Sequence, residues 1–447
     1  MSERSNGKGM SFHALIMWAM IIGVALGFVA RFASAQSPEI AEKTAFIVKY
    51  VARPIGEIFI RMIIMVVVPL VISALVLGVV EIGDPRKLGK IGLRTLGLTA
   101  IFSLSAVLIG VTIANVIQPG VGLDPEKRLG LERTFAKDAE KAVANADVAA
   151  SKEIETRILD MLPKNLMQEI VGAADGSSSG NGMLAVMVFS LIFGIAIASA
   201  GPKAETLVKC LEGVFAAAMH VIGFAMKLAP IAVACLLFSV TVTLGADFLY
   251  LLAKFVVAVL LGLAIHTFVV YPAALLIFAR RSPLKFFRDS QEAALTAFAT
   301  SSSNATLPVS LRVAEENLGV KPKVAKFVLT IGATGNQNGT ALFEGVVVLF
   351  LAQVFGKNLQ LGEQFTVVLM AVMAGIGTAG VPGGSMPLIV GILKTIKIDG
   401  MSIALVQGVD RLLDMARTAV NVLGDLVIAV CVGDMEDEEP SSSEGAN

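Results

Sequence analysis

The chain has 447 residues, and its 36 basic and 36 acidic side chains leave a formal net charge of zero. Hydrophobic residues make up 55% and charged ones only 16%, against roughly 25% charged in a soluble domain, and the mean hydropathy is +0.78. This excludes a soluble multidomain chain, and zero net charge with few aromatics excludes a nucleic-acid binder.

The first apolar run, 14–30, is followed by RFASAQ, which resembles a signal-peptide cleavage site. The run exceeds the usual ~7–15 residues of a leader core, so a first membrane helix over 11–33 is preferred. A spanning helix needs about 20 apolar residues. The next candidates are 54–82 and 91–117. The polar stretch 120–181 reads as an insertion, a surface helix or extramembrane loop with balanced charge and no site. Apolar runs resume at 183–200, 207–245 and 249–279, with a kink expected at Pro230. Cys210, Cys235 and Cys431 form no CxxC pair, and His13, His220 and His266 are far apart. Neither a disulfide frame nor a zinc site is expected.

In the last third, Ser, Gly, Asn and Pro interrupt four segments: 296–311, 330–346, 374–389 and 410–426. Broken backbone at membrane depth is tolerated only where protein buries it or a wet cavity receives it. Paired breaks of this kind point to a transporter binding site. A hairpin-like stretch 283–318 precedes a broken helix 320–355, and a second hairpin 361–396 precedes a helix 398–432. This is the layout of an inverted repeat. Basic clusters at 86–94, 280–288 and 321–326 place those loops in the cytoplasm.

Within 398–432, Asp410, Asp414 and Arg417 share one helical face, which Asn421 and Asp425 continue. Ionisable residues in a membrane segment usually face a site or a pathway. The alternative is an internal ion pair of Asp414 with Arg417 that staples the bundle. A guanidinium holds a carboxylate by two parallel bonds, and a nearby Asp can hold an ammonium. A site offering both fits an acidic amino acid. A plain dicarboxylate is expected to leave Asp414 unpaired. GIGTAG at 375–380 matches a dinucleotide fingerprint, but it lies between membrane runs and reads better as a re-entrant tip. Asp425 follows Leu423-Gly424, which fails the G-x-G-D motif of an intramembrane aspartyl protease, and no enzyme activity is expected.

These segments resemble the dicarboxylate/amino acid:cation symporter family, the glutamate transporters, over roughly 10–433 apart from 120–181. The motifs are a serine-rich hairpin ending in T-L-P, an N-x-x-G-T helix break, a Gly-Pro hairpin, and D-x-x-x-D-x-x-R-T-x-x-N-x-x-G-D. The resemblance implies an all-α polytopic membrane protein with eight transmembrane helices, two re-entrant helical hairpins and inverted repeats. It also implies a homotrimer whose transport domain moves as an elevator against a scaffold. Scaffold helices would occupy 1–82, and helix three of the transport domain 83–119. The insertion and further scaffold helices would occupy 120–245. The rest of the transport domain would span 246–433, before an acidic disordered tail at 434–447.

Carried over by that resemblance, Arg417 holds the side-chain carboxylate with Thr340 beside it, and Asp414 holds the amino group. Asn421 and Ser303 hold the α-carboxylate. Thr418 joins this set, Ser301 and Ser302 complete the inner tip, and Val381, Gly383, Gly384 and Ser385 form the outer lid. One candidate sodium site uses Gly332, Asn336, Asn421 and Asp425; another uses Thr334, Gly375, Ile376 and Thr378. The third family site is expected to be lost. Its aspartate is Asn338, and its helix-three positions read Thr99, Phe102 and Ser103, of which only Ser103 is kept. Removing a buried carboxylate also removes the demand for one cation. Glu344 resembles the proton-carrying glutamate of animal relatives; pairing with a nearby basic group is the alternative. The arginine that relatives place at the first hairpin tip or beside the helix-eight aspartate reads Ser301 or Met415 here.

The expected function is secondary active transport of L-aspartate or L-glutamate by alternating access, in a multi-pass cell inner membrane with both termini cytoplasmic. No cofactor is expected. The coupling cation is H+, Na+ or both, with protons favoured. Partners are the substrate, the lipid bilayer and two further copies of the chain. A C4-dicarboxylate symporter and a substrate-gated anion conductance are the alternatives.

Overall fold

A computed structural model describes residues 12–82, 89–135, 162–175, 183–377 and 385–437. Every regular element among them is helical. Among the described residues, seven helical stretches are long and apolar enough to cross a bilayer: Ala14–Gln36, Pro38–Val80, Lys90–Ile117, Met183–Leu244, Ala246–Ala279, Pro322–Val354 and Gln407–Glu436. The 62-residue stretch Met183–Leu244 holds two helices joined by a 3-10 turn at Gly201–Ala204.

In chain order the helices are α1 (Phe12–Gln36), α2 (Pro38–Ile47), α3 (Arg53–Ile64), α4 (Val67–Ile82) and α5 (Gly89–Ile117). Then come α6 (Pro125–Phe135), α7 (Leu166–Asp175), α8 (Met183–Ala200), α9 (Glu205–Leu244) and α10 (Ala246–Ile265). The last third comprises α11 (Tyr271–Ala274), α12 (Pro283–Thr300), α13 (Ser303–Arg312), α14 (Pro322–Gly335) and α15 (Asn338–Val354). It ends with α16 (Leu361–Gly377), α17 (Met386–Thr395) and α18 (Gln407–Asp437).

Helix α1 lies along α9, where Gly23 and Gly27 bring its backbone against Ala234 and Thr241. Helices α3 and α4 pack on α9, and α8 packs on α4. A second group forms where α15 runs between α5 and α18, with α10, α12, α14 and α16 around them. The two groups meet where α4 and α8 face α16 and α17. Burial separates them. The window of α1 is 17% buried, whereas Pro322–Val354 is 94% buried and Gln407–Glu436 83%. Polar residues can sit on those last helices because protein, not lipid, surrounds them.

The first hairpin is formed. Helices α12 and α13 turn at Ser301, which adopts a left-handed conformation (φ 50°). Ser302 caps α13 by accepting a hydrogen bond from the Ala305 N–H at 3.2 Å. Helices α14 and α15 are separated by Asn336 and Gln337. The second hairpin pairs α16 with α17. Part of its tip, 378–384, lies outside the described residues.

Several expectations need correction. Helical structure begins at Pro38, before the expected 54, because the segment to Ala52 carries charges that an apolar window rejects. The polar stretch is not wholly a surface excursion: Leu123 and Leu131 are buried in the core, and the Gln353 side chain accepts from Gly120 N at 3.0 Å. The tail begins later than 434, since α18 continues to Asp437 and Asp434 holds Arg281 by two bonds of 2.6 Å.

Candidate functional site

The site centres on α18, where Asp410, Arg411, Asp414 and Arg417 are all at most 7% exposed. Helical spacing turns Asp410, Asp414 and Arg417 to one side. The Arg417 Nη1 donates to Asp410 Oδ1 at 2.9 Å, and Nε donates to Asp414 Oδ1 at 3.1 Å. Its Nη2 donates to the Ser385 hydroxyl of the second hairpin at 3.2 Å. The guanidinium carbon lies 4.1 Å from the centroid of the Phe343 ring, within cation–π range. Four partners thus fix a planar cation in the protein interior. The internal ion pair weighed as an alternative is present, and it doubles, because Asp410 pairs as well as Asp414.

Sequence reasoning overlooked Arg411. Its Nη1 donates to Asp414 Oδ2 at 3.1 Å, the oxygen that Arg417 leaves free. Arg411 lies one turn before Met415 on the same helix. An i,i+3 spacing from Arg411 to Asp414 was a readable signal. The argument that a dicarboxylate leaves Asp414 without a partner fails for the same reason.

Asn421 joins α18 to the break between α14 and α15. Its side-chain oxygen accepts from Gly339 N at 2.7 Å, and its amide donates to Thr340 Oγ1 at 3.0 Å and to Gln337 Oε1 at 2.5 Å. Gln337, also overlooked, donates its own N–H to the Gly375 carbonyl at 3.3 Å, which ties the break to the second hairpin. Thr418 turns its hydroxyl back to the Asp414 carbonyl at 2.7 Å. In the first hairpin, Ser301 and Ser303 are 2% exposed, and their hydroxyls have no hydrogen-bond partner among the described residues. Helix α13 packs against α18.

The structure brings Gly332, Asn336 and Asp425 together. The Asn336 amide donates to Asp425 Oδ1 at 2.7 Å, and a Cβ on Gly332 would stand 2.4 Å from that oxygen. Only glycine allows the carboxylate this close. Of the other candidate cation ligands, Gly375 and Ile376 lie in the last turn of α16, and Thr334 bonds back to Ile331 O at 3.2 Å. Thr378, Val381, Gly383 and Gly384 lie outside the described residues.

At the third position, Ser103 donates to Asn338 Oδ1 at 3.2 Å, and the Asn338 amide lies 3.4 Å from the Tyr271 hydroxyl. The Phe102 ring packs 5.4 Å from Tyr271, and Thr99 is buried one turn earlier on α5. Glu344, one turn beyond Thr340 on α15, is fully buried, and neither carboxylate oxygen has a hydrogen-bond partner among the described residues. The basic partner entertained for Glu344 forms no hydrogen bond to it there.

A polar stripe with an anchored arginine, a broken helix and two hairpins within an apolar bundle is the architecture expected of a solute carrier. The family model for the Sodium:dicarboxylate symporter family matches residues 12–435. The chain belongs to this family. It is 33% identical over 386 residues to the proton/sodium-glutamate symport protein of Bacillus subtilis, covering 86% of each chain. It is 31% identical to the proton/glutamate-aspartate symporter of Escherichia coli, covering 94% of this chain and 92% of that one. Similarity extends to excitatory amino acid transporter 3 of Mus musculus, at 33% identity over 91% of this chain and 82% of the mouse protein.

Proposed function

We propose that the protein is a secondary active symporter of L-aspartate or L-glutamate. One observation carries this reading: Arg417, 1% exposed, stands between two carboxylates and the hydroxyl of a hairpin residue. Substrate enters beside this set and takes the place of the Ser385 hydroxyl on Arg417. Its side-chain carboxylate engages Arg417, with Thr340 alongside, and its amino group engages Asp414. The α-carboxylate takes the Ser303 hydroxyl and the Asn421 amide, and Ser301 and Ser302 shape the inner tip. The hydroxyls of Ser301 and Ser303, which have no hydrogen-bond partner among the described residues, support this assignment.

Coupling follows from the charges. Asp425, beside Gly332 and Asn336, forms one cation site with Asn421. Thr334 with the backbone of Gly375 and Ile376 forms a second. The third family position is lost, because Asn338 is neutral and Phe102 offers no oxygen. Glu344 carries a proton instead, since a buried carboxyl group with no hydrogen-bond partner among the described residues cannot remain charged in the interior at low cost. The helix group around α9 acts as scaffold. The group around α15 and α18 moves as an elevator, and three copies assemble in the inner membrane.

The deciding experiment is L-aspartate binding to the purified protein across a sodium titration at fixed pH. Affinity that rises steeply with sodium supports a reduced-stoichiometry sodium symporter. Flat affinity leaves the proton through Glu344 as the coupling ion. No aspartate binding in either condition refutes the reading. The second reading, a C4-dicarboxylate substrate, draws on the Arg411 contact, which keeps Asp414 paired without an ammonium. Displacement of bound aspartate by equimolar succinate would favour it.

A further inference from the structure

We propose that Arg411 is an intramolecular stand-in for the substrate's amino group. It neutralises Asp414 while the site is empty and leaves Asp414 when an amino acid arrives. This rests on the acidic-amino-acid reading above.

Two guanidinium groups and two carboxylates close the stripe on α18 as a neutral set. Asp410 is 5% exposed, Arg411 7%, Asp414 6% and Arg417 1%. Their roles differ. Arg417 is held by Asp410, Asp414, Ser385 and the face of Phe343, so it is the fixed cation of the set. Arg411 bonds the other oxygen of Asp414, Oδ2, at 3.1 Å. With Oδ1 taken by Arg417, Oδ2 is the one an incoming ammonium must use. An ammonium and a guanidinium N–H make the same kind of charge-assisted bond to a carboxylate, so the two compete for it.

The competition separates ligands by their amino group. An amino acid displaces Arg411 and restores one positive partner to Asp414. A dicarboxylate brings no such group, and Arg411 stays. The competition also supports the empty carrier. When substrate leaves, Arg411 returns to Oδ2, so the two buried carboxylates again face two guanidinium groups and the set stays neutral. Without Arg411, the empty site holds two carboxylates against one guanidinium. That surplus charge hinders passage of the substrate-free form through the membrane interior. Arg411 is thus a positioning residue for specificity and for the return step.

The test compares wild type with R411Q and R411K. Binding is measured for L-aspartate and succinate on purified protein. Net uptake and aspartate–aspartate exchange are measured in proteoliposomes. In R411Q the Kd for aspartate is expected to fall about tenfold, the size of one competing charged hydrogen bond, while succinate binding does not tighten. Net uptake drops and exchange persists, because exchange never requires the empty form to cross. R411K keeps the charge and restores net uptake. A merely structural role would depress uptake and exchange together. Weaker or unchanged aspartate binding in R411Q, beside normal wild-type binding, overturns the competitor role alone. Should R411Q fail to fold, R411K decides: a shorter lysine ammonium replaces the guanidinium fork with a single-point contact to Oδ2, so aspartate Kd still falls, and a rise overturns the proposal. Absence of aspartate binding by wild type overturns the transport reading and this inference with it.

Discussion

Arg417 is the largest side chain among the described residues to be withdrawn almost wholly from solvent. A cation in that position is tolerable only because Asp410 and Asp414 compensate it and Ser385 and Phe343 complete its surroundings. Replacing it removes the partner of a substrate carboxylate and strands two protein carboxylates. Arg417→Ala is therefore expected to weaken L-aspartate binding by about 100-fold or more. Calorimetry on purified protein checks this, and affinity within threefold of wild type would remove Arg417 from the site. Glu344 presents the opposite case, a buried carboxyl group with neither oxygen hydrogen-bonded among the described residues. If it carries the coupled proton, wild-type uptake rises as external pH falls. Glu344→Gln, a permanent mimic of the protonated form, should then transport with a flat pH profile. An unchanged profile would assign the proton elsewhere.

At the scale of elements, the broken helices were readable and the continuous ones less so. Ser301, Ser302 and Ser303, the pair Asn336-Gln337 and the Gly-Pro tip announce interruptions, because a lipid-facing helix cannot leave backbone groups unpaired. Helices α12 to α17 duly fall within the expected stretches. Helix α2 escaped notice because charges such as Glu39 and Lys43 break its hydropathy. One contact between elements makes a sharp prediction. A Cβ on Gly339 would stand 2.6 Å from the backbone oxygen of Arg417, and backbone cannot swing aside as a flexible side chain can. Gly339→Ala should force α15 away from α18, lowering stability by about 2 kcal/mol and weakening binding through the Gly339–Asn421 bond. Thermal unfolding in detergent checks it, and an unchanged transition would mean that the two helices are less closely fitted.

For the whole molecule, the question is whether the two helix groups move relative to each other. A cavity of about 430 Å³ between them is lined by Met20 and Val24 of α1, Leu249 and Leu252 of α10, and Val409 of α18. Cysteines at Met20 and Leu249, in a background lacking Cys210, Cys235 and Cys431, can be bridged by a short bifunctional reagent. An elevator requires that bridging stop uptake while aspartate still binds. Full uptake in a fully bridged sample would exclude sliding along this boundary.

The sequence by itself determined the membrane environment, the positions of the hairpins and helix break, and the charged stripe of the last helix. Each is a local property, fixed by composition or by helical period. It also carried the family resemblance, since Asp410, Asp414, Arg417, Asn421 and Asp425 recur along one face. Only the tertiary structure decided which charge meets which. Arg411 reaches Asp414, Asp434 reaches Arg281, and Gln337 ties α14 to the second hairpin. Glu344 is left without a hydrogen bond among the described residues. The physical reason is that spacing along a helix sets which side chains share a face, whereas the partner across that face depends on how separate helices pack. In a low-dielectric interior that choice of partner sets the energy of every charge.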